Sequence, residues 1–532
     1  MDLPEFGKAP LVKEIWLVAR ELGGWAEAGG VKDVVRDQAL AFASIGWTTH
    51  VVIPFYGYLR THVEAVGTLA WRGTSHHPSR PAPVEAWVVD EASFTVHFLR
   101  SPGFDDKNSL YTYTAEDEAR DPAHVRGQGF CDGFQMNLEF QWSVASYWKA
   151  AELRPSVVLG HDGHVGYLPA VAKAHPGFEG WFDRTTFGVL IHNAGSGYRQ
   201  EMPATADHEA LIGLPGDEAG LSVLERQFEP LLGAARHSRL ATVSANYANE
   251  LKTGRNDHWS GPFGRWLRTT KTPLEGITNG LSTDDKDPRD PDAAGIPAGF
   301  DPLKGDWDGK NLCRRALREK LLLRPQAVYG RLVRWDGPLY VMQGRLTAQK
   351  GVDALYDLTA RALREKPRAS FLIMAQGEKR YEERMIQLAR KTLQTGSFAF
   401  VNKFEESLSR LVFAAGDFFL MPSEYEPCGL TDLKAQLMGN LPIVHRVGGL
   451  VKVRDGKTGF SYDKHLEGGF WGAFVRTLRL WEDDPEAIAV MRRQAFLSVL
   501  EDFQWTRILE EHYVPWLTDP APFPILTAIP PT

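Results

Sequence analysis

The sequence predicts an α/β protein built as two halves, each around its own parallel sheet, with a cleft between them. Three observations carry this. The first half repeats a short apolar run, a Gly-rich or polar turn and a helical period, the signature of βαβ units and hence of parallel strands. Residues 283–310 are rich in Pro, Gly and Asp and read as a long loop near a domain border. Beyond them the same alternation resumes, and a chain of 532 residues has room for two or more domains of ~100–200 residues each.

Taken in order, "EIWLVAR" is a buried strand and "ELGGWAEAGG" a loop. From Val31 the apolar residues Val31, Val34, Val35, Ala39 and Phe42 fall on one helical stripe. "THVVIPFYG", "SVVLG", "TTFGVLIHN" and "LATVSA" are the following strands. In the second half "GPLYVMQGRL" is a strand, "TAQKG" a loop and "VDALYDLTARALRE" a helix. "ASFLIMAQG" is a strand with the helix "YEERMIQLARKTL" after it, and "GDFFLMPS" and "LPIVHR" are strands. "GLTDLKAQLMG" is a helix, and the chain ends in the Pro-rich "DPAPFPILTAIPPT". Ligands of such folds sit beyond the carboxyl ends of the strands, so the loops there are where chemistry is sought.

Composition narrows the class. Hydrophobic residues at 43% and charged residues at 24% are those of a soluble globular chain. The net charge of -7 argues against a nucleic-acid surface. The cysteines Cys131, Cys313 and Cys428 form no CxxC pair, which argues against a cysteine zinc site and a secreted disulfide scaffold. No apolar run approaches the ~20 residues of a membrane span, and the N-terminus lacks a signal-peptide pattern. The expectation is a cytoplasmic protein without membrane attachment.

Several loops could hold an anion. Arg345 ends a strand and Lys350 precedes a helix, so two cations stand beside free helix N–H groups, a setting that suits a diphosphate. The same pair also reads as solvated surface residues. Gly29 and Gly30 before a helix suit either close approach to a ligand or a tight turn. Lys32, a cation in the first helical turn, opposes the helix dipole unless an anion lies nearby. His161, His164 and His192 follow buried strands without metal-ligand spacing, and suit hydrogen bonds to a polar substrate or a structural role. Gly448 and Gly449 suit phosphate or a turn. Cys428 has no activating partner in sequence and reads as a packed thiol. Serine-hydrolase, zincin and P-loop motifs are missing from the sequence.

Together the segments "EAGGVKDVV", "GHDGH", "IHN", "TVSANYANEL", "GITNGL", "GRLTAQKG", "AAGDFFLMPSEYEPCGLT" and "VGGL" resemble the bacterial glycogen synthases and plant starch synthases. These are retaining glucosyltransferases of GT-B architecture: two Rossmann-like parallel-sheet domains facing a central cleft. The resemblance implies residues 1–252 as the acceptor-side domain, 253–505 as the nucleotide-sugar domain and 506–532 as a segment crossing back to the first. It implies transfer of glucose from ADP-glucose to the non-reducing end of an α-1,4-glucan, with no cofactor and no metal. Glu426, His192, Arg345 and Lys350 take the catalytic positions by this resemblance. Gly29, Gly30, Lys32, Phe404, Cys428, Gly429, Leu430, Thr431, Gly448 and Gly449 take the donor side. Asp33, His161, Asp162, His164, Asn193 and Asn279 take the sugar and acceptor side.

The sequence departs from the family pattern in four places. Glu27 and Ala28 stand where the family has Lys-Thr, and a carboxylate beside a diphosphate is repulsive. Either Lys32 supplies the missing charge, which is the reading taken from sequence, or this loop no longer meets the phosphates. Gly163 replaces a Trp, Phe404 a Tyr, and Glu424 a site often basic in relatives. ADP-glucose and UDP-glucose both remain open as donors. A GT-B enzyme with another acceptor and a non-catalytic glucan-binding relative are the alternative readings.

Overall fold

The computed structural model describes residues 13–205, 207–255, 257–323, 327–464 and 468–519. The N-terminal residues and the Pro-rich tail from residue 520 lie outside them. The chain divides into two units: Met1–Ile277 with Trp505–Thr532, and Thr278–Gln504.

In the first unit the strands are β1 (Glu14–Val18), β2 (Thr48–Pro54), β3 (Thr68–Thr74), β4 (Pro83–Asp90), β5 (Thr95–Arg100), β6 (Val157–His161), β7 (Thr186–Ile191), the short β8 (Met202–Pro203), β9 (Val223–Leu224) and β10 (Gln227–Phe228), then β11 (Arg239–Thr242) and β12 (Glu275–Gly276). Nine of them form one sheet in the order β12-β11-β7-β6-β1-β2-β5-β4-β3. Its centre is parallel, and Ile15, Trp16, Leu17 and Val18 on β1 are buried, as continuous apolar strands covered on both faces must be. At one edge the sheet turns antiparallel, β4 pairing so with both β3 and β5. There the residues alternate between faces, Val84 and Ala86 being buried and Glu85 half-buried, which is how a sheet open to solvent on one side is written.

The second unit holds β13 (Val328–Leu332), β14 (Leu339–Leu346), β15 (Ser370–Gly377), β16 (Ser397–Val401), β17 (Phe418–Met421), β18 (Leu441–His445) and β19 (Phe460–Tyr462). They form one sheet in the order β13-β16-β15-β14-β17-β18-β19, parallel except for β13. Successive side chains point to opposite faces, and each face has its own core. Tyr340, Met342, Phe371 and Ile373 pack on one side, and Leu339, Val341, Leu372 and Met374 on the other. At about 1.5–3 kcal/mol for each large apolar side chain removed from water, these two layers are the main favourable term of the unit.

The division falls at Ile277, not at residue 252. The segment beyond 252 stays with the first unit because β12 pairs with β11 and the helix Pro262–Thr270 packs on the helix Ala245–Thr253. The 283–310 loop lies wholly in the second unit and includes the short helix Pro291–Ala294 and the start of the helix Asp308–Leu322. Late in the chain Trp505 returns to the first unit, where its indole N–H donates to Asp37 at 3.3 Å.

Candidate active site

In the second unit, β14 and β17 lie side by side and parallel, so the loops leaving their carboxyl ends are neighbours. Arg345, exposed, lies near the end of β14, and the loop that follows carries Lys350, in a tight turn before the helix Val352–Glu365. The β17 loop carries Glu426. The two loops are tied by backbone and side chain: Glu424 N–H donates to Gln349 O at 2.8 Å, and Gln349 Nε2 to Tyr425 O at 3.1 Å. Glu426 is 9% exposed. Its Oε2 accepts from Lys350 Nζ at 2.6 Å and from the Ser423 hydroxyl at 2.9 Å. Burial pushes this carboxyl up, but Lys350, Ser423 and Lys452 outweigh burial and hold it below the ordinary carboxylate range. Glu426 is therefore an anion held against a cation, both at the mouth of the sheet.

Beyond Glu426 the chain turns through Gly429, whose φ of 72° is the left-handed region that favours glycine, into Leu430 with helical angles. Gly448 and Gly449 approach closely, but what they approach is the protein. A Cβ on Gly448 would overlap the Glu426 carbonyl and one on Gly449 the Cys428 carbonyl, and Gly449 N–H donates to Glu426 O at 2.9 Å. Both glycines therefore brace the Glu426 loop from behind. Burial pushes the Cys428 thiol up to about 11, which makes it a packed, protonated group. Thr431 turns its hydroxyl to the Met421 sulfur at 3.6 Å. Asn279 is buried, and among the described residues its Oδ1 has no hydrogen-bond partner. Phe404, at the end of β16, is 66% exposed and offers an open ring face.

In the first unit β6 and β7 are parallel neighbours, and the histidines at their carboxyl ends meet. His161 Nδ1 and His192 Nε2 are 2.9 Å apart. Burial depresses both: His161 falls well below its ordinary value and His192 to about 3, so the pair is neutral. Asp162 sits at φ 62°, which costs a non-glycine residue of order 1–3 kcal/mol, and this turn aims its Oδ1 at the amides of His192 (2.6 Å) and Asn193 (3.3 Å). Burial nonetheless pushes the Asp162 carboxyl up to about 8. Gly163 has no room for a larger residue, since a Cβ would overlap the Arg199 carbonyl. His164 is buried and lies against the Tyr111 ring, centroids 5.3 Å apart. The Asn193 side chain accepts from Gly195 N–H at 2.7 Å.

The loop before the helix Val31–Ser44 is organised by two carboxylates. Glu21 Oε2 accepts from Gly29 N–H at 2.7 Å and Ala28 N–H at 3.3 Å; Glu27 Oε1 accepts from Gly24 N–H at 2.7 Å. Lys32 Nζ lies 2.7 Å from Asp33 Oδ1 and 3.8 Å from Glu27 Oε1. Two local carboxylates, Asp33 among them, thus face the Lys32 ammonium. Sequence reasoning passed over Glu21, Tyr111, Lys452 and Asp432. For Glu21 a signal was present, because a charged pair, Arg20–Glu21, directly follows the apolar run 15–19.

Each unit thus sets polar side chains at the carboxyl ends of a parallel-centred sheet, the place where ligands of α/β folds bind. Residues 14–262 match the family "Starch synthase catalytic domain" and residues 332–497 match "Glycosyl transferases group 1". A glycogen synthase of Aeromonas hydrophila is 29% identical over 91% of this chain and 94% of its own length. One of Vibrio cholerae is 26% identical over 94% of this chain and 97% of its own. The catalytic domain of Arabidopsis thaliana starch synthase IV, solved with ADP and acarbose, has the same fold, with a TM-score of 0.74 at 22% identity over 95% of this chain and 99% of that one. Over most of its length the chain is thus similar to glycosyltransferases of the glycogen and starch synthase type.

Proposed function

We propose that this enzyme transfers glucose from ADP-glucose to the non-reducing end of an α-1,4-glucan with retention of configuration. The bond from the sugar C1 to the diphosphate oxygen breaks, and a bond from C1 to the acceptor 4-hydroxyl oxygen forms on the same face. The hydroxyl proton passes to the departing phosphate. Negative charge grows on the leaving oxygen, and cations already in place lower that barrier without reorganisation. Arg345 and Lys350 take this role and Glu426 holds the donor sugar's hydroxyls, so no metal is required. The observation that carries the reading is the 2.6 Å contact of Lys350 with Glu426 at adjoining strand ends. The exposed Phe404 ring suits stacking on the nucleobase.

On the acceptor side we assign the first-unit loop to sugar in place of phosphate. Its amides at 28 and 29 already hold Glu21. Beside it lies a pocket of ≈ 750 Å³ lined by Trp25, Glu27, Tyr58, Asn108, Tyr111 and Thr112 among others. Aromatic faces with amide, hydroxyl and carboxylate groups suit a neutral sugar and disfavour an anion. Among the described residues no helix is long and apolar enough to cross a membrane, and the reading places the enzyme in the cytoplasm with its nucleotide-sugar. The test follows ADP release and glucose incorporation with ADP-glucose and glycogen. ADP release that depends on glycogen supports the proposal. Release of UDP from UDP-glucose at a higher rate reassigns the donor, and no release from either donor overturns the function.

A further inference from the structure

Lys452 is a cation that the proposed chemistry does not use, yet it is 8% exposed at its side chain and points into the Glu426 loop. Its Nζ donates to Cys428 O at 2.7 Å, Gly429 O at 2.6 Å and Gly449 O at 3.2 Å. Asp432 Oδ2, fully buried, lies 2.9 Å away and balances the charge. An ammonium ringed by carbonyl oxygens and a carboxylate fixes the direction of each peptide it touches.

That direction has a consequence on the far side of the loop. In a trans peptide the C=O and the following N–H point opposite ways. With the Cys428 and Gly429 carbonyls both turned to Lys452, the N–H groups of Gly429 and Leu430 both turn away from it. Successive amides face one side only where the residues between them alternate in hand, and the left-handed Gly429 followed by the right-handed Leu430 supplies that alternation. Gly429 has no space for a side chain, because a Cβ would press on Leu450 at 2.7 Å and on Asp432 Oδ1 at 3.0 Å. The loop's conformation therefore depends on the cation behind it.

We propose that Lys452, balanced by Asp432, is a positioning residue that gathers the loop carbonyls behind Glu426 and so presents the Gly429 and Leu430 amides to the nucleotide-sugar donor. The inference rests on the proposed function for the identity of the donor. It assigns to Lys452 an effect on the donor and not on the acceptor, since its hydrogen bonds and ion pair are all to the 428–432 and 449 segments of the second unit.

The test measures ADP affinity by titration calorimetry, with KM for ADP-glucose and for glycogen, in the wild type and in Lys452→Met. ADP binding and the ADP-glucose KM weaken at least about tenfold, as expected for two misdirected amide donors, while the glycogen KM stays within about twofold. Lys452→Met leaves Asp432 buried without its cation, so the double variant Lys452→Met/Asp432→Leu, which buries no lone charge, is measured beside it. The double variant shows the same loss of ADP affinity. Unchanged ADP affinity in a folded variant, or donor and acceptor KM rising together, overturns the proposal. A wild type that binds ADP but transfers no glucose breaks the proposed function instead, while the ADP comparison still decides the role of Lys452.

Discussion

The loop before the helix Val31–Ser44 and the loop before the helix Thr431–Leu437 share one local grammar: a buried strand, a charged turn, a glycine and a helix. Their electrostatics are opposite. In the first, the protein supplies its own anion, and Glu21 fills the amides of Ala28 and Gly29. In the second, the protein supplies its own cations: Lys452 gathers carbonyls on one side, and Lys350 holds Glu426 at the mouth. A glycine-rich strand-to-helix turn is thus a frame of either sign, and the partner of its amides decides whether it can receive a phosphate.

The largest effect expected from this contrast is at Lys350. Replacing it by methionine removes the partner of Glu426 and, on the proposed function, a cation that faces the leaving group. We expect kcat for glucosyl transfer to fall by roughly 10²–10³-fold, the loss seen when one preorganised electrostatic donor is removed, with steady-state ADP release as the readout. Glu21→Ala comes next. It strips two amides of their acceptor and should cost about 1–3 kcal/mol, read as a lower thermal midpoint. If the first loop is an anion frame already filled, added inorganic phosphate should raise the midpoint of Glu21→Ala more than that of the wild type; equal shifts would break the contrast.

A subtler test concerns Asp162. Its native carboxyl holds a proton up to about 8, while the unfolded carboxyl is already ionised above its ordinary range. The unfolded state binds fewer protons across that window, so the wild type loses stability as pH rises through it. Asp162→Asn, which keeps an oxygen for the amides of His192 and Asn193, should flatten that slope in a series of thermal melts. The smallest effect belongs to Lys32. Its partly exposed pairs with Asp33 and Glu27 are worth about 0–1 kcal/mol, and Lys32→Ala should leave the ADP-glucose KM within about twofold. A donor KM that rises tenfold would restore Lys32 to the phosphate.

Much of this frame was legible in the sequence. The apolar runs through Val18, Met342 and Met421 appear within strands at those positions, because continuous burial on both faces writes itself as continuous hydrophobicity. Glu426, Lys350 and Arg345 fall on adjoining strand ends because a parallel sheet delivers its loops to one edge. What stayed hidden depended on contacts distant in sequence. The border at Ile277 is set by β12, a strand of two residues that no periodicity can announce. Lys452 looks like an ordinary surface cation until the 428–429 carbonyls are seen to surround it. Gly448 and Gly449 signal close approach correctly, but only coordinates show that the neighbour is Cys428 and Glu426 backbone.

The central claim is that the second-unit loops form the donor site and that Lys350 meets the nucleotide's phosphates there. Titration of ADP into the wild type and into Lys350→Met tests it most directly. The account predicts saturable binding by the wild type and affinity at least about tenfold weaker in the variant, in line with one lost charge-assisted contact. Equal affinities for the two proteins would contradict it.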